Sequence, residues 1–179
     1  AWVTGCVSFG DAWFLAVMVR CLKPDRVVEV GVASGASSAR LLAPLHHAWG
    51  GAGLTDRKGR PRLESFDLMR GCYFDESRPV GSAVREMCPD LDHERGWRLT
   101  TGVTAADAGR ALTGADLPLA FIDADHRHPW PAADVLALRP ALRRGAWIVL
   151  HDINFASHYA DRICAVKDGR VVEFGAVAL

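Results

Sequence analysis

The stretch "RVVEVGVASGASSARLL", Arg26–Leu42, decides the fold. Its first seven residues form a β-branched apolar run, the pattern of a strand buried on both faces. A glycine turn follows, and "SSARLL" begins a helical pattern. Gly31 and Gly35 are spaced G-x-x-x-G, with Glu29 two residues before the first. A dinucleotide site would need G-x-G-x-x-G and a phosphate loop would need G-x-x-x-x-G-K-[ST], and the turn has neither. It therefore lacks the devices that grip phosphates. Its glycines suit either tight strand-to-helix packing or close backbone approach of a ligand without phosphate.

Working outward, residues 11–22 carry apolar residues on a helical period that stops at Pro24. Downstream, strand-like and helix-like segments alternate. "RLESFDL", "WRLTTGV", "LPLAFIDAD" and "GAWIVLHDI" read as further strands. "VGSAVREMC", "AADAGRAL" and "WPAADVLALRPAL" read as the helices between them. This order predicts a three-layer α/β/α domain, Rossmann-like, with a mostly parallel sheet. Residues 47–62 form a long connection, and within it "DRKGRPR", Asp56–Arg62, reads as a solvated loop. Near the end, "RICAVKD" and "RVVEFGAV" flank an Asp168–Gly169 turn, a C-terminal antiparallel hairpin expected to add residues 163–175 to the sheet. The expected organisation is one domain over 1–179, with a helical segment at 1–24 and an atypical tail at 153–179.

Composition narrows the function. Lysine plus arginine and aspartate plus glutamate balance at 21 each, so no basic stripe argues for nucleic acid. Five scattered cysteines without C-x-x-C spacing fit reduced thiols better than a disulfide frame or zinc knuckle. The apolar run "AWFLAVMVRCL" is too short to span a bilayer and lacks a basic leader. A cytoplasmic protein that engages no membrane is the expectation, and nothing in the sequence excludes a homodimer.

In open parallel sheets, ligands bind at the carboxyl ends of the strands. That rule selects Glu29 to Gly35, Asp67, Gly102 to Thr104, Asp123 to His128 and His151 to Asn154. Asp67 ends the second strand, where an ionised carboxylate could accept both hydroxyls of a ribose. Glu64 is its rival.

Together, "VVEVGVASG", the acidic strand end in "LESFD", "LPLAFIDADH" and "GAWIVLHD" resemble class I S-adenosylmethionine-dependent methyltransferases over residues 4–152. Within that class the chain is most similar to small-molecule O-methyltransferases. The resemblance implies that Glu29, Gly31, Ala33, Ser34 and Gly35 line the methionine end of S-adenosyl-L-methionine. It places Asp67 on the ribose, Thr104 on the adenine side and Asp123 at the cofactor's reactive end. It implies a small-molecule acceptor hydroxyl, and it admits a divalent metal, Mg or Mn, held by Asp123, His151 and Asp152. The histidine replaces an oxygen ligand of the metal-dependent relatives.

Without a metal, a histidine near its ordinary pKa can take the acceptor's proton. His126 and His151 are the candidates, beside Asp123. Asp125 and His128, just before "PW", read as caps of the next helix. His46, His47, His93 and His158 read as surface residues. Two other functions stay open. One is a module of the same fold that binds S-adenosylmethionine or S-adenosylhomocysteine without transferring a methyl group. The other comes from residues 148–175, "IVLHDINFASHYADRICAVKDGRVVEFG", which resemble the end of the ATP-binding subunits of iron-chelate transporters. By that resemblance the chain would be a transporter ATPase fragment, yet it contains no phosphate loop and no L-S-G-G-Q motif.

Overall fold

A computed structural model of the chain describes residues 9–50, 53–151, 162–167 and 170–176. Helix α1 (Phe9–Leu22) leads into strand β1 (Val27–Val30), the turn at 31–35 and helix α2 (Ala36–Ala48). Strand β2 (Leu63–Asp67) follows the long connection. A short polar hairpin comes next, β3 (Gly71–Cys72) and β4 (Asp75–Pro79), which the sequence pattern does not announce. Helices α3 (Ala83–Met87) and α4 (His93–Gly96) precede strand β5 (Trp97–Thr101). Helix α5 (Ala105–Ala111), strand β6 (Leu117–Ile122), helix α6 (Trp130–Leu138) and strand β7 (Leu142–Leu150) complete the alternation.

Five strands make one sheet in the order β5-β2-β1-β6-β7, every neighbouring pair parallel. Side chains alternate across it with period two. Val27, Leu63, Leu119 and Phe121 pack towards α1 and α2, while Val28, Phe66, Ala120 and Ile122 pack towards α5 and α6. Each fully buried Leu or Phe contributes roughly 1.5–3 kcal/mol. The three central strands β1, β2 and β6 are buried throughout; β6 reads as a continuous apolar run, while β1 and β2 bury Glu29, Glu64, Ser65 and Asp67 among their apolar residues. β7 lies at the edge, and Trp147 and Ile148 are exposed on it.

The hairpin expected at the C-terminus forms, as β8 (Arg162–Lys167) and β9 (Arg170–Ala176), antiparallel to each other. It does not extend the main sheet. The two strands form a sheet of their own, and β8 runs beside α1. The turn signal correctly specified the local pairing, which depends on neighbouring residues. Docking onto an edge depends on partners the local pattern does not name. The turn itself, Asp168–Gly169, lies outside the described residues.

The loop "DRKGRPR" is folded rather than merely solvated. Asp56 accepts from the backbone of Lys58 (2.8 Å) and Arg60 (2.9 Å) and pairs with the Arg60 side chain (2.7 Å). Arg62 is buried, lies over the Trp49 ring at 4.2 Å and donates to the Asp25 carbonyl at 2.8 Å. His46 and His93 are half-buried rather than on the surface, each with a buried Nδ1 that has no partner among the described residues.

Candidate active site

The turn after β1 is built around two carboxylates. Glu29 is fully buried on the α2 side of the sheet. Ser37 Oγ donates to its Oε1 at 2.6 Å, and Ser38 and Ser65 Oγ donate to its Oε2 at 2.6 and 2.5 Å. Trp97 Nε1 in turn donates to Ser65 Oγ at 2.8 Å. Burial pushes the Glu29 carboxyl up from 4.5 to about 7 despite those three hydroxyls, with the Asp123 charge adding to the rise. Glu29 thus sits beneath the turn and anchors the first turn of α2. It offers no exposed oxygen to a ligand.

Asp67 holds the turn from the other side. Its Oδ2 accepts from Val32 N (2.8 Å) and Ala33 N (3.0 Å), and its Oδ1 accepts from Met69 N (2.7 Å). The rival carboxylate, Glu64, lies on the opposite face of β2 and pairs with Arg26 near the amino end of β1, which removes it from the cofactor question.

Gly31 and Gly35 both have positive φ, 86° and 89°. A Cβ on Gly31 would lie 2.1 Å from the Asp123 carbonyl oxygen, and one on Gly35 would lie 2.8 Å from Gly81 Cα. These glycines therefore admit the protein's own backbone, the packing alternative of the two their spacing allowed. Gly102 differs, because a Cβ there would meet only the Arg70 guanidinium, at 3.6–3.7 Å. Ser34 is fully buried and Ala33 is half-buried at φ 47°. Thr104 is the N-cap of α5 and forms a reciprocal capping box with Asp107.

This end of the sheet fits a nucleoside cofactor. Three of roughly four accepting positions on Asp67 are used, which leaves one for a ribose hydroxyl. Beside it Leu68 and Met69 are exposed, an apolar surface that could carry a base.

One strand over, the residues at the ends of β6 and β7 converge. Asp123 Oδ1 lies 3.2 Å from His126 Nε2 and 3.3 Å from His151 Nδ1. The two imidazoles meet edge to face at 5.5 Å. Asp11, from α1, reaches His151 Nε2 at 3.4 Å, a contact the sequence pattern could not anticipate. The hydrogen bond to Asp123, with the charges of Asp123 and Asp11, raises the His151 pKa from 6.5 to about 9. This favours the imidazolium form of His151 between its two carboxylates at neutral pH and makes it the poorer proton acceptor of the two histidines.

Asp123, His126 and His151 each offer one ligand atom, all within 4.8 Å of one another. This set differs from the expected Asp123, His151 and Asp152. His126 joins it, and Asp152 lies outside the described residues. Two nitrogens and one oxygen suit Mn or Fe better than Mg. Asp125 does not cap α6. It pairs with Arg127, which holds its carboxyl down at about 2, and the N-cap position is Pro129, without a side-chain bond. His128 makes no cap either.

A methyltransferase-domain family model matches residues 28–153. The chain belongs to that methyltransferase-domain family. The fold agrees with solved structures. An O-methyltransferase from Bacillus cereus in complex with SAH is 20% identical with a TM-score of 0.55, covering 83% of this chain and 58% of that one. The O-methyltransferase TomG from Streptomyces achromogenes, in complex with SAM and involved in tomaymycin synthesis, is 20% identical with a TM-score of 0.58, covering 92% and 64%. The chain thus spans about three fifths of the length of these structures. A 29-residue stretch is also 62% identical to the petrobactin import ATP-binding protein FatE of Bacillus anthracis, 16% of this chain and 12% of that protein.

Proposed function

We propose that this protein is an S-adenosylmethionine-dependent methyltransferase that methylates a hydroxyl of a small molecule, with Asp123, His126 and His151 at its reacting centre. The observation that carries the reading is the placement of Asp123. It stands at the carboxyl end of β6, next to the glycine turn, with a histidine on each side. The cofactor supplies a methyl group on a sulfonium sulfur. Asp67 would hold its ribose, with Leu68, Met69 and Thr104 on the side of its base.

The chain's own part is to position the acceptor and remove its proton. With the Nε2 hydrogen of His126 on Asp123, Nδ1 carries the lone pair and is the base. His151, charged on its side of Asp123, pairs with that carboxylate, which in turn aligns the His126 ring. The acceptor oxygen would bond to the methyl carbon as the cofactor's carbon–sulfur bond breaks, with His126 placed to take the acceptor's proton. If a metal is used instead, Asp123, His126 and His151 would hold it, and it would lower the acceptor's pKa. Such an ion must displace the proton of His151, and this favours the metal-free base.

Calorimetry with S-adenosylhomocysteine, followed by turnover of a library of small hydroxyl compounds with and without chelator, tests the reading. We expect saturable cofactor binding and chelator-insensitive O-methyl product. Absence of cofactor binding would overturn the proposal. Tight binding without turnover would replace it with a cofactor-binding module of the same fold.

A further inference from the structure

A cavity larger than the one at the histidine cluster opens elsewhere among the described residues. The depression beside that cluster, against Leu150 and Pro131, has a volume of about 10 Å³. A groove of about 500 Å³ instead opens on the α5 face of the sheet, bounded by β2, β5 and α5. Arg26, which precedes β1, marks its amino-end floor. About five residues of extended chain, roughly 16 Å, separate it from Gly31 at the carboxyl edge.

Arg26 is the unusual group here. Its side chain is 6% exposed, and Nη2 pairs with Glu64. Nε and Nη1 are buried with no hydrogen-bond partner among the described residues. Those two nitrogens carry three of the five donors of a guanidinium. Burying charged donors unpaired is costly, so folded proteins supply them with an acceptor. Glu64 cannot serve them alone, because it is shared with Arg98, whose Nη1 lies 3.6 Å from Oε2. Arg60, braced by Asp56, brings a third guanidinium to the lining. Further along, Phe66, Val103 and Leu112 make the wall apolar.

We propose that this groove is a binding site for a small organic anion, with a carboxylate or phosphate head on Arg26, Arg60 and Arg98 and an apolar body against Phe66 and Leu112. Glu64 sets the selectivity. It neutralises part of the arginine charge, so a lone inorganic anion gains less than one that also buries apolar surface. Its arginine head lies at the opposite end of the strands from Asp67 and Asp123, while its apolar wall runs up to Val103, whose N–H donates to the Asp67 carbonyl; the proposal does not rest on the methyl-transfer reading.

The test uses the full chain, titrated with phenyl phosphate, benzoate, inorganic phosphate and neutral benzamide, read by calorimetry and by amide chemical shifts. Phenyl phosphate and benzoate are expected to saturate and to shift amides of β2, β5 and α5, with benzamide silent. Arg98→Gln and Arg60→Gln alter partly exposed side chains and keep the Arg26–Glu64 pair, so they should fold. Each is expected to weaken phenyl phosphate at least tenfold, and Arg26→Met to abolish the binding. Absence of saturable binding by both organic anions would overturn the proposal. So would binding unchanged in the Arg60 and Arg98 variants, or shifts confined to the carboxyl edge.

Discussion

Glu29 and Asp123 stand two residues apart in register on adjacent strands, yet the fold assigns them opposite tasks. Glu29 pairs with Phe121 across β1 and β6, inside the sheet, where three serine hydroxyls enclose it. Asp123 lies just past the strand end, 21% exposed, with an imidazole on each side. One carboxylate is buried and pushed towards its neutral form. The other is open and stabilises the charge of a neighbour. Two residues along a strand decide whether an acid is enclosed in the scaffold or left open at the proposed reacting centre.

The point where the two regions touch is the most fragile. Gly31 follows the β1 strand and the Asp123 carbonyl fills the space of its missing side chain. Gly31→Ala combines a strained φ with a backbone clash, and should cost several kcal/mol, beyond the usual 1–3 kcal/mol of an overpacked site. A thermal melt should show a variant largely unfolded or lowered by more than 10 °C. A melt near that of the parent would mean the two strand ends can separate freely.

Glu29 gives the next largest effect, and its sign can be worked out. Its folded pKa, about 7, lies above the ordinary 4.5, so the folded state holds the proton more tightly. The stability this confers is complete below about 4.5 and is lost as pH rises through about 7. The full shift corresponds to roughly 3 kcal/mol. Glu29→Gln should flatten the stability profile between those pH values, measured by denaturant unfolding. An unchanged slope would place the titration elsewhere.

Asp67 bridges the comparison, since it holds the turn and is the proposed ribose acceptor. Asp67→Ala should weaken S-adenosylhomocysteine by roughly 1.5–3 kcal/mol. It should also lower the melting temperature by a few degrees, because three backbone donors lose their acceptor. Loss of stability with unchanged affinity would confine Asp67 to the scaffold.

What the sequence made legible follows the same division. The strands β1 and β6 were readable from their runs of β-branched and apolar residues, a local signal, and β2, "LESFD", from its place in the alternation of strand-like and helix-like segments. The strand-end rule then selected Asp67, Asp123, His126 and His151 before any contact was known. Partners contributed from far along the chain were out of reach. Ser65 on Glu29 and Asp11 on His151 depend on sheet order and on the seating of α1. The β3–β4 hairpin was missed because "GC" and "DESRP" carry no alternation. Arg26 and Glu64 become neighbours only once β1 and β2 pair with Val28 opposite Glu64.

The smallest effect on stability isolates Asp123. The His151 pKa stands at about 9 chiefly because of Asp123, with Asp11 adding to it. His151 therefore contributes stability that is complete below about 6.5 and is lost as pH rises through about 9, a window above that of Glu29. Its side chain is 40% exposed, so solvent screening reduces the gain to about 1 kcal/mol or less. Asp123→Asn removes the main cause and leaves Asp11. The His151 ring, followed by NMR, should then titrate well below 9 while the melting temperature changes little. Turnover distinguishes the two imidazoles. If His126 is the base, the parent should be active at neutral pH with His151 protonated, and Asp123→Asn should slow it by freeing the His126 ring. If His151 must lose its proton, the parent's rate should climb until about pH 9, and Asp123→Asn should shift that rise to lower pH. A rise near 9 that moves with the NMR titration would transfer the role of base from His126 to His151.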